Sequence, residues 1–178
     1  VDITERKLAQ QKLQAAVERS SRLAALGREL AEATNARAAA LAILDASRDL
    51  VGWDAAWIRE VDEKQETWTD LAVYDLIDGQ TREIPAEPRH EIAPAEIIRK
   101  GLSQGQLLLR EREDLGEQKL WLIGNGRRSL SLMFVPLRHG GRTMGIMSVQ
   151  SYTRNAYNNA SVDLLEALAD NVAGTLER

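Results

Sequence analysis

Large rings make up only 4% of this 178-residue chain, so the positions they occupy are informative. Trp57, Trp68, Tyr74 and Trp121 are the side chains best suited to wall a cavity for a flat, partly aromatic ligand. Ordinary core and hairpin packing is the plainer use of such rings. Trp121 stands out because it sits in a polar stretch bounded by Gly116 and Gly124. Close by, Arg127 and Arg128 carry guanidinium forks that fit a carboxylate or phosphate, although a solvated loop accounts for them equally well. Met133 and Met144 are candidates for the apolar part of such a wall, and together with Met147 they could instead fill it. Neutral imidazole can bind haem iron or act as a base, but His90 and His139 fall in a Pro-flanked charged stretch and a Gly-Gly turn, which weighs against haem. The chain has no Ser-His-Asp ordering, Gly-rich phosphate loop or paired metal-ligand spacing, and the segment does not read as an enzyme.

Composition narrows the classes further. With 23 basic and 27 acidic residues the net charge is -4, which gives no general attraction to nucleic acid or anionic lipid. The absence of cysteine removes thiol nucleophiles, disulfides, thiolate metal sites and thioether-linked chromophores, and two histidines are too few for a protein-only zinc site. No apolar run approaches the roughly 20 residues that span a bilayer, and the N-terminus lacks the basic and apolar parts of a signal peptide. The segment therefore reads as cytoplasmic, without membrane insertion. Because it starts at Val1 and its last helix reaches Arg178 without a stop signal, it also reads as part of a longer chain.

The elements that would position these side chains follow from periodicity. Residues 4–35 predict one long helix, rich in Ala, Leu, Gln, Glu and Arg and opened by an Asp2/Glu5 capping box. Along it Leu13, Ala16, Ser20, Leu23, Gly27 and Leu30 keep a 3-4 spacing, the seam of a two-stranded coiled coil. At ~1.5 Å per residue the helix reaches roughly 45 Å, more than a small domain can cover by itself. Asn35 caps a second helix over residues 36–51, ended by Gly52. Strands are predicted over 53–61 and 66–75, then a loop over 76–93, a short helix over 94–102, a short strand over 106–109 and a charged irregular stretch over 111–128. Residues 130–137 are apolar on both faces, with Leu130, Leu132 and Phe134 on one and Met133, Val135 and Leu137 on the other, so both faces of the sheet must be covered. Gly140-Gly141 supplies the turn to a strand over 143–149. Asn158 or Asn159 caps a final helix whose first turn contains Asp163 and whose stripe is Val162, Leu165, Ala169, Val172 and Leu176, widened by Leu164 and Leu168. The stripe width predicts that this helix packs against the first on the sheet face opposite the pocket.

Phe134-Val135-Pro136-Leu137, Gly140-Gly141 and Met144-Gly145-Ile146, followed by Tyr157 and Asp163-Leu164-Leu165, resemble the closing pattern of GAF domains. Asp2-Ile3-Thr4-Glu5-Arg6-Lys7 is similar to the exit of a PAS sensory domain. The resemblance implies an α+β fold: a central antiparallel sheet of about six strands, helices on one face, a ligand pocket on the other, and long N- and C-terminal signalling helices. It divides the chain into a PAS exit and coiled-coil linker (1–18) and a GAF domain (19–178). The implied role is a cytoplasmic sensory module of a bacterial signalling protein, most naturally a sensor histidine kinase and less so a diguanylate cyclase or phosphodiesterase. It would bind an unidentified small molecule and relay the signal as a homodimer through its terminal helices. A dimerising relay with a vestigial pocket is the alternative. Covalent bilin attachment and Cys-based sulfoxide reduction, both found in the family, lack their cysteine here, and the cyclic-nucleotide pattern is not matched. No cofactor is identified.

Overall fold

A computed structural model describes residues 2–62, 67–85, 88–89, 107–109 and 129–176. The chain opens with α1, Ile3–Glu32, whose N-cap Asp2 accepts a hydrogen bond from the Thr4 amide at 3.0 Å. The helix stops three residues short of the expected Asn35 because Ala33 is extended and Asn35 caps the next helix instead. That helix, α2 (Ala36–Leu50), has the Asn35 side chain accepting from the Ala38 amide at 2.8 Å. Gly52, with φ of 82°, ends it, and the amides of Val51 and Gly52 share the Ser47 carbonyl. Both caps lie where the sequence places them.

Among the described residues seven strands follow: β1 (Ala55–Asp62), β2 (Thr67–Ile77), β3 (Gln80–Glu83), β4 (Pro88–Arg89), β5 (Leu107–Leu109), β6 (Ser131–His139) and β7 (Arg142–Ser151). They form one antiparallel sheet in the order β3-β2-β1-β7-β6-β5, with β4 also paired to β2. Residues 76–93 are thus not all loop. Asp78 (φ 51°) and Gly79 (φ 74°) make a tight turn and return the chain as β3, whose polar Gln-Thr-Arg-Glu carries no apolar alternation to announce it. The Gly140-Gly141 turn (φ 56° and 75°) joins β6 to β7 in the same manner, as expected. The last helix is α3, Asn159–Leu176. Asn158 accepts from the Ser161 amide at 3.0 Å and opens it, which leaves Asp163 beyond the first turn rather than in it. The expected helix over 94–102 and the stretch over 111–128 lie outside the described residues.

Helices α2 and α3 cover one face of the sheet. There Ala39, Ala40, Ile43 and Leu44 of α2 and Val162, Leu165, Leu168 and Ala169 of α3 meet Ile58, Ala72, Met133, Val135, Leu137, Met147 and Val149 in one apolar cluster. The run of alanines lets α2 approach the sheet closely. Two buried polar groups tie the edges: the Ser47 hydroxyl donates to the Leu44 carbonyl and accepts from Trp53 Nε1 at 2.9 Å, and the Tyr157 hydroxyl donates to the Gly52 carbonyl at 3.0 Å. Burial, helped by the Asp54 charge, pushes the Tyr157 phenol well above its ordinary pKa.

Only the C-terminal part of α1 joins this core, through Leu26 and Leu30. Ile3, Leu8, Leu13 and Val17 are exposed, Leu13 to 67%. The expected packing of the first helix on the last is only a minor contact: α1 packs chiefly on α2 and α2 on α3, while Leu26 and Leu30 share one apolar cluster with Ala169 and Ala173. Between them α1 and α3 border a groove instead.

Candidate functional site

The sheet face turned away from α2 and α3 is where burial and polarity coincide. Strand alternation puts Trp57 and Arg59 of β1 there, opposite Ser148 and Ile146 of β7, and Phe134 of β6 opposite Ser148. A bulge between Ile58 and Arg59 brings Arg59 opposite Asp70 of β2, skipping Leu71. The result is an ion pair with Arg59 Nε to Asp70 Oδ1 at 2.6 Å, both side chains only 4% exposed. The same guanidinium lies over the Trp57 ring, 4.0 Å from its centroid, and Trp57 in turn meets Phe134 at 6.1 Å with an interplanar angle of 58°. Carboxylate, guanidinium, indole and phenyl thus form one continuous stack across β2, β1 and β6.

The backbone beneath the stack leaves no slack. A Cβ on Gly145 would lie 2.2 Å from the Arg59 carbonyl oxygen, so only glycine lets β7 close on β1 at this point. Further along the same face, the buried Asp75 carboxylate accepts from the Tyr152 hydroxyl and from the Leu76 amide at 2.8 Å. Ser129 donates to Gln150 at 2.7 Å, and Gln150 donates to the Ser148 hydroxyl at 3.2 Å. Tyr152 is itself fixed by its amide, which donates to Asp54 at 2.7 Å. A buried sheet face this rich in charge and hydroxyls costs desolvation and needs its partners in place. Chemically it can hold a small polar molecule by hydrogen bonds while aromatic surface fixes its plane.

The sequence candidates divide between the two faces. Trp57 lies on the charged face. Tyr74 and Met133 lie on the helix side, Met133 fully buried in the apolar cluster and Tyr74 stacked on Trp53 at 5.7 Å. They share no cavity with Trp57, because neighbouring strand positions point to opposite faces. Met147 likewise belongs to the helix side, so it does not fill a pocket over the outer face. Met144 is half-buried in β7 next to Gly145, and Trp68 is paired in register with Val61 and Arg89. Trp121, Arg127, Arg128 and His90 lie outside the described residues. His139 is exposed at the β6–β7 turn, its ring against Gly174 of α3. The residues that sequence reasoning missed are Arg59, Asp70, Asp75, Ser148 and Tyr152. The available signal was Trp57-Ile58-Arg59, in which alternation alone places the cation on the indole's face.

Comparison with known proteins agrees with this layout. The family model described as GAF domain matches residues 33–177, and the chain belongs to that family. It is a regulatory, sensory type of domain. The GAF domain of an Acinetobacter phosphoenolpyruvate-protein phosphotransferase is similar in structure, with a TM-score of 0.70 at 16% identity, over 90% of this chain and 93% of that one. A GAF domain described as part of a sensor histidine kinase from Pseudomonas syringae pv. tomato gives 0.61 at 17% identity, over 95% and 92%. Residues 122 to 287 of a methyl-accepting chemotaxis protein give 0.64 at 15% identity, over 89% and 97%. No curated protein sequence matches. The chain lacks the cysteine that a covalently linked bilin needs, and none of the described helices is long and apolar enough to cross a membrane.

Proposed function

We propose that this GAF domain is the small-molecule sensor of a cytoplasmic multidomain signalling protein, with a sensor histidine kinase as parent. Residues 1–18 would serve as the linker from an upstream PAS domain. The observation that carries the reading is the buried Asp70-Arg59-Trp57-Phe134 stack on the face opposite the helices. A protein built only for stability would gain as much from apolar side chains at those positions. The ligand best suited to the stack is small, flat and partly aromatic, with polar edges that engage the hydroxyls of Ser148 and Tyr152. The histidine kinase and chemotaxis neighbours support the signalling context, and the exposed first half of α1 supports the linker role.

A second reading has one observation in its favour: guanidinium and phenyl already flank the indole, so the face could be closed and the domain a ligand-free relay. A panel of nucleosides, nucleotides and aromatic amino acids, followed by tryptophan fluorescence and thermal melting, separates the two. Binding should quench emission and raise the melting temperature, since a ligand at about 100 times its Kd adds roughly 2.7 kcal/mol. Arg59→Met/Asp70→Leu should abolish both responses. A panel that produces neither response in the wild-type domain leaves the relay reading standing.

A further inference from the structure

Alternation along β2 breaks at one place. Leu71 and Ala72 are consecutive, yet both join the helix-side cluster, Ala72 fully buried in it and Leu71 half-buried against it. Two neighbours on one face return Asp70 to the outer face; in an unbroken strand Asp70 would share the helix side with Ala72 and could not meet Arg59. Nor is Arg59 free to follow a displaced Asp70, because its backbone is pressed against Gly145 of β7. The ion pair at the centre of the site therefore depends on the bulge.

Leu71 stands opposite no residue of β1, β3 or β4. Along its outer edge β2 is bordered by β3 over residues 74–77 and by β4 at 68–69, and the Ile84 amide donates to the Val73 carbonyl at 2.8 Å. In the interval between them a side chain takes the place of a strand. Arg37, in the first turn of α2, donates from one terminal nitrogen to the Leu71 carbonyl at 3.2 Å, and its other terminal nitrogen is paired with the Glu83 carboxylate of β3. The fork thus bridges the skipped residue and the edge strand. We infer that Arg37 is a positioning residue for the outer face: through the Leu71 carbonyl it holds the bulge that sets Asp70 against Arg59, and with that pair the guanidinium over Trp57.

The residue type fits the task. The Arg37 side chain is 47% exposed, so its ion pair with Glu83 adds little by itself, and a lysine would serve that pair as well. A planar fork is what lets one side chain engage a carbonyl and a carboxylate together at a fixed angle. The contacts run from Arg37 to the Leu71 carbonyl, Asp70, Arg59 and Trp57, so a change in the first turn of α2 reaches the stack although α2 covers the opposite face of the sheet. That the stack receives a ligand rests on the proposed function; its geometry does not.

The test therefore reads geometry with no ligand present, and its failure would leave the sensing proposal untouched. In nitrogen–proton NMR spectra of the whole chain, the Arg59 Nε–H held by Asp70 and the Trp57 indole N–H in the ring that the guanidinium covers report the stack directly. Arg37→Met should displace both resonances, with an unchanged fold by circular dichroism. Two controls should leave both in place: Asn35→Ala, which removes the neighbouring helix cap, and Glu83→Gln, which removes the charge of the edge pair and spares the contact with Leu71. A folded Arg37→Met with both resonances at their wild-type positions overturns the inference, as does displacement of the same size in either control. If Arg37→Met does not fold, Arg37→Lys keeps the charge without the fork and carries the same expectation and the same refutation.

Discussion

Toward α2 and α3 the sheet presents Ile58, Ala72, Met133, Val135, Leu137, Met147 and Val149, all but inaccessible to solvent and all apolar. Its other face sets Arg59, Asp70, Asp75 and Ser148 among Trp57, Phe134 and the apolar Val73, Leu132 and Ile146, and is buried almost as completely. Equal burial, with charge and hydroxyls on one face alone, separates two tasks. Apolar burial stabilises through area and close packing and asks little of direction. Buried charges and hydroxyls add little net stability, but they fix geometry and leave directed groups at a defined place. The helix face holds the domain together, and under the proposed function the outer face serves recognition.

Breaking the outer face at one charge should have the largest effect. Arg59→Met leaves Asp70 buried without its cation and is expected to cost ~3–5 kcal/mol, read by urea unfolding. On the helix face Met147→Ala should cost ~2–5 kcal/mol by cavity formation. The two losses are similar in size and differ in origin: compensating substitution of the partner should rescue the first, and no single polar partner exists to rescue the second. Gly145→Ala should cost ~1–3 kcal/mol or more, since its Cβ meets the Arg59 backbone oxygen and must push β1 from β7. The signature to look for is a change in Trp57 emission along with the lost stability.

Much of the frame was legible in the sequence because it depends on local rules. Asn35 and Gly52 bracket α2 through capping, Gly140-Gly141 makes its turn through positive φ, and the alternation in β6 assigned Phe134 and Met133 to opposite faces. The site was much less legible. Arg59 and Asp70 fall in two predicted strands with nothing in the sequence to mark them, and only strand pairing with a bulge makes them neighbours. Tyr74 was grouped with Trp57 by residue type, although its register position, opposite Ala56, puts it on the helix side. Strand β3 was missed because its four residues are polar and its evidence, the Asp78-Gly79 turn, carries meaning only beside a recognised strand.

Smaller effects sharpen the contrast. At Tyr157 burial raises the phenol pKa in the folded state. The neutral phenol therefore contributes stability that is fully present below about pH 10, the ordinary tyrosine value, and is progressively lost above it as the unfolded chain ionises first. Tyr157→Phe should flatten the decline in urea midpoint above that pH. Asn35→Ala removes the cap of α2 and should cost about 1 kcal/mol, with no effect on Trp57 emission, because the cap lies at the helix layer.

The division of labour between the faces is tested most directly by the urea unfolding free energy of Arg59→Met/Asp70→Leu. If the ion pair serves recognition, replacing both partners by apolar side chains of similar size should leave stability within about 1 kcal/mol of wild type, or raise it. A double variant as unstable as Arg59→Met alone, some 3 kcal/mol or more below wild type, would mean that the charged face holds the fold together and would contradict the separation of tasks.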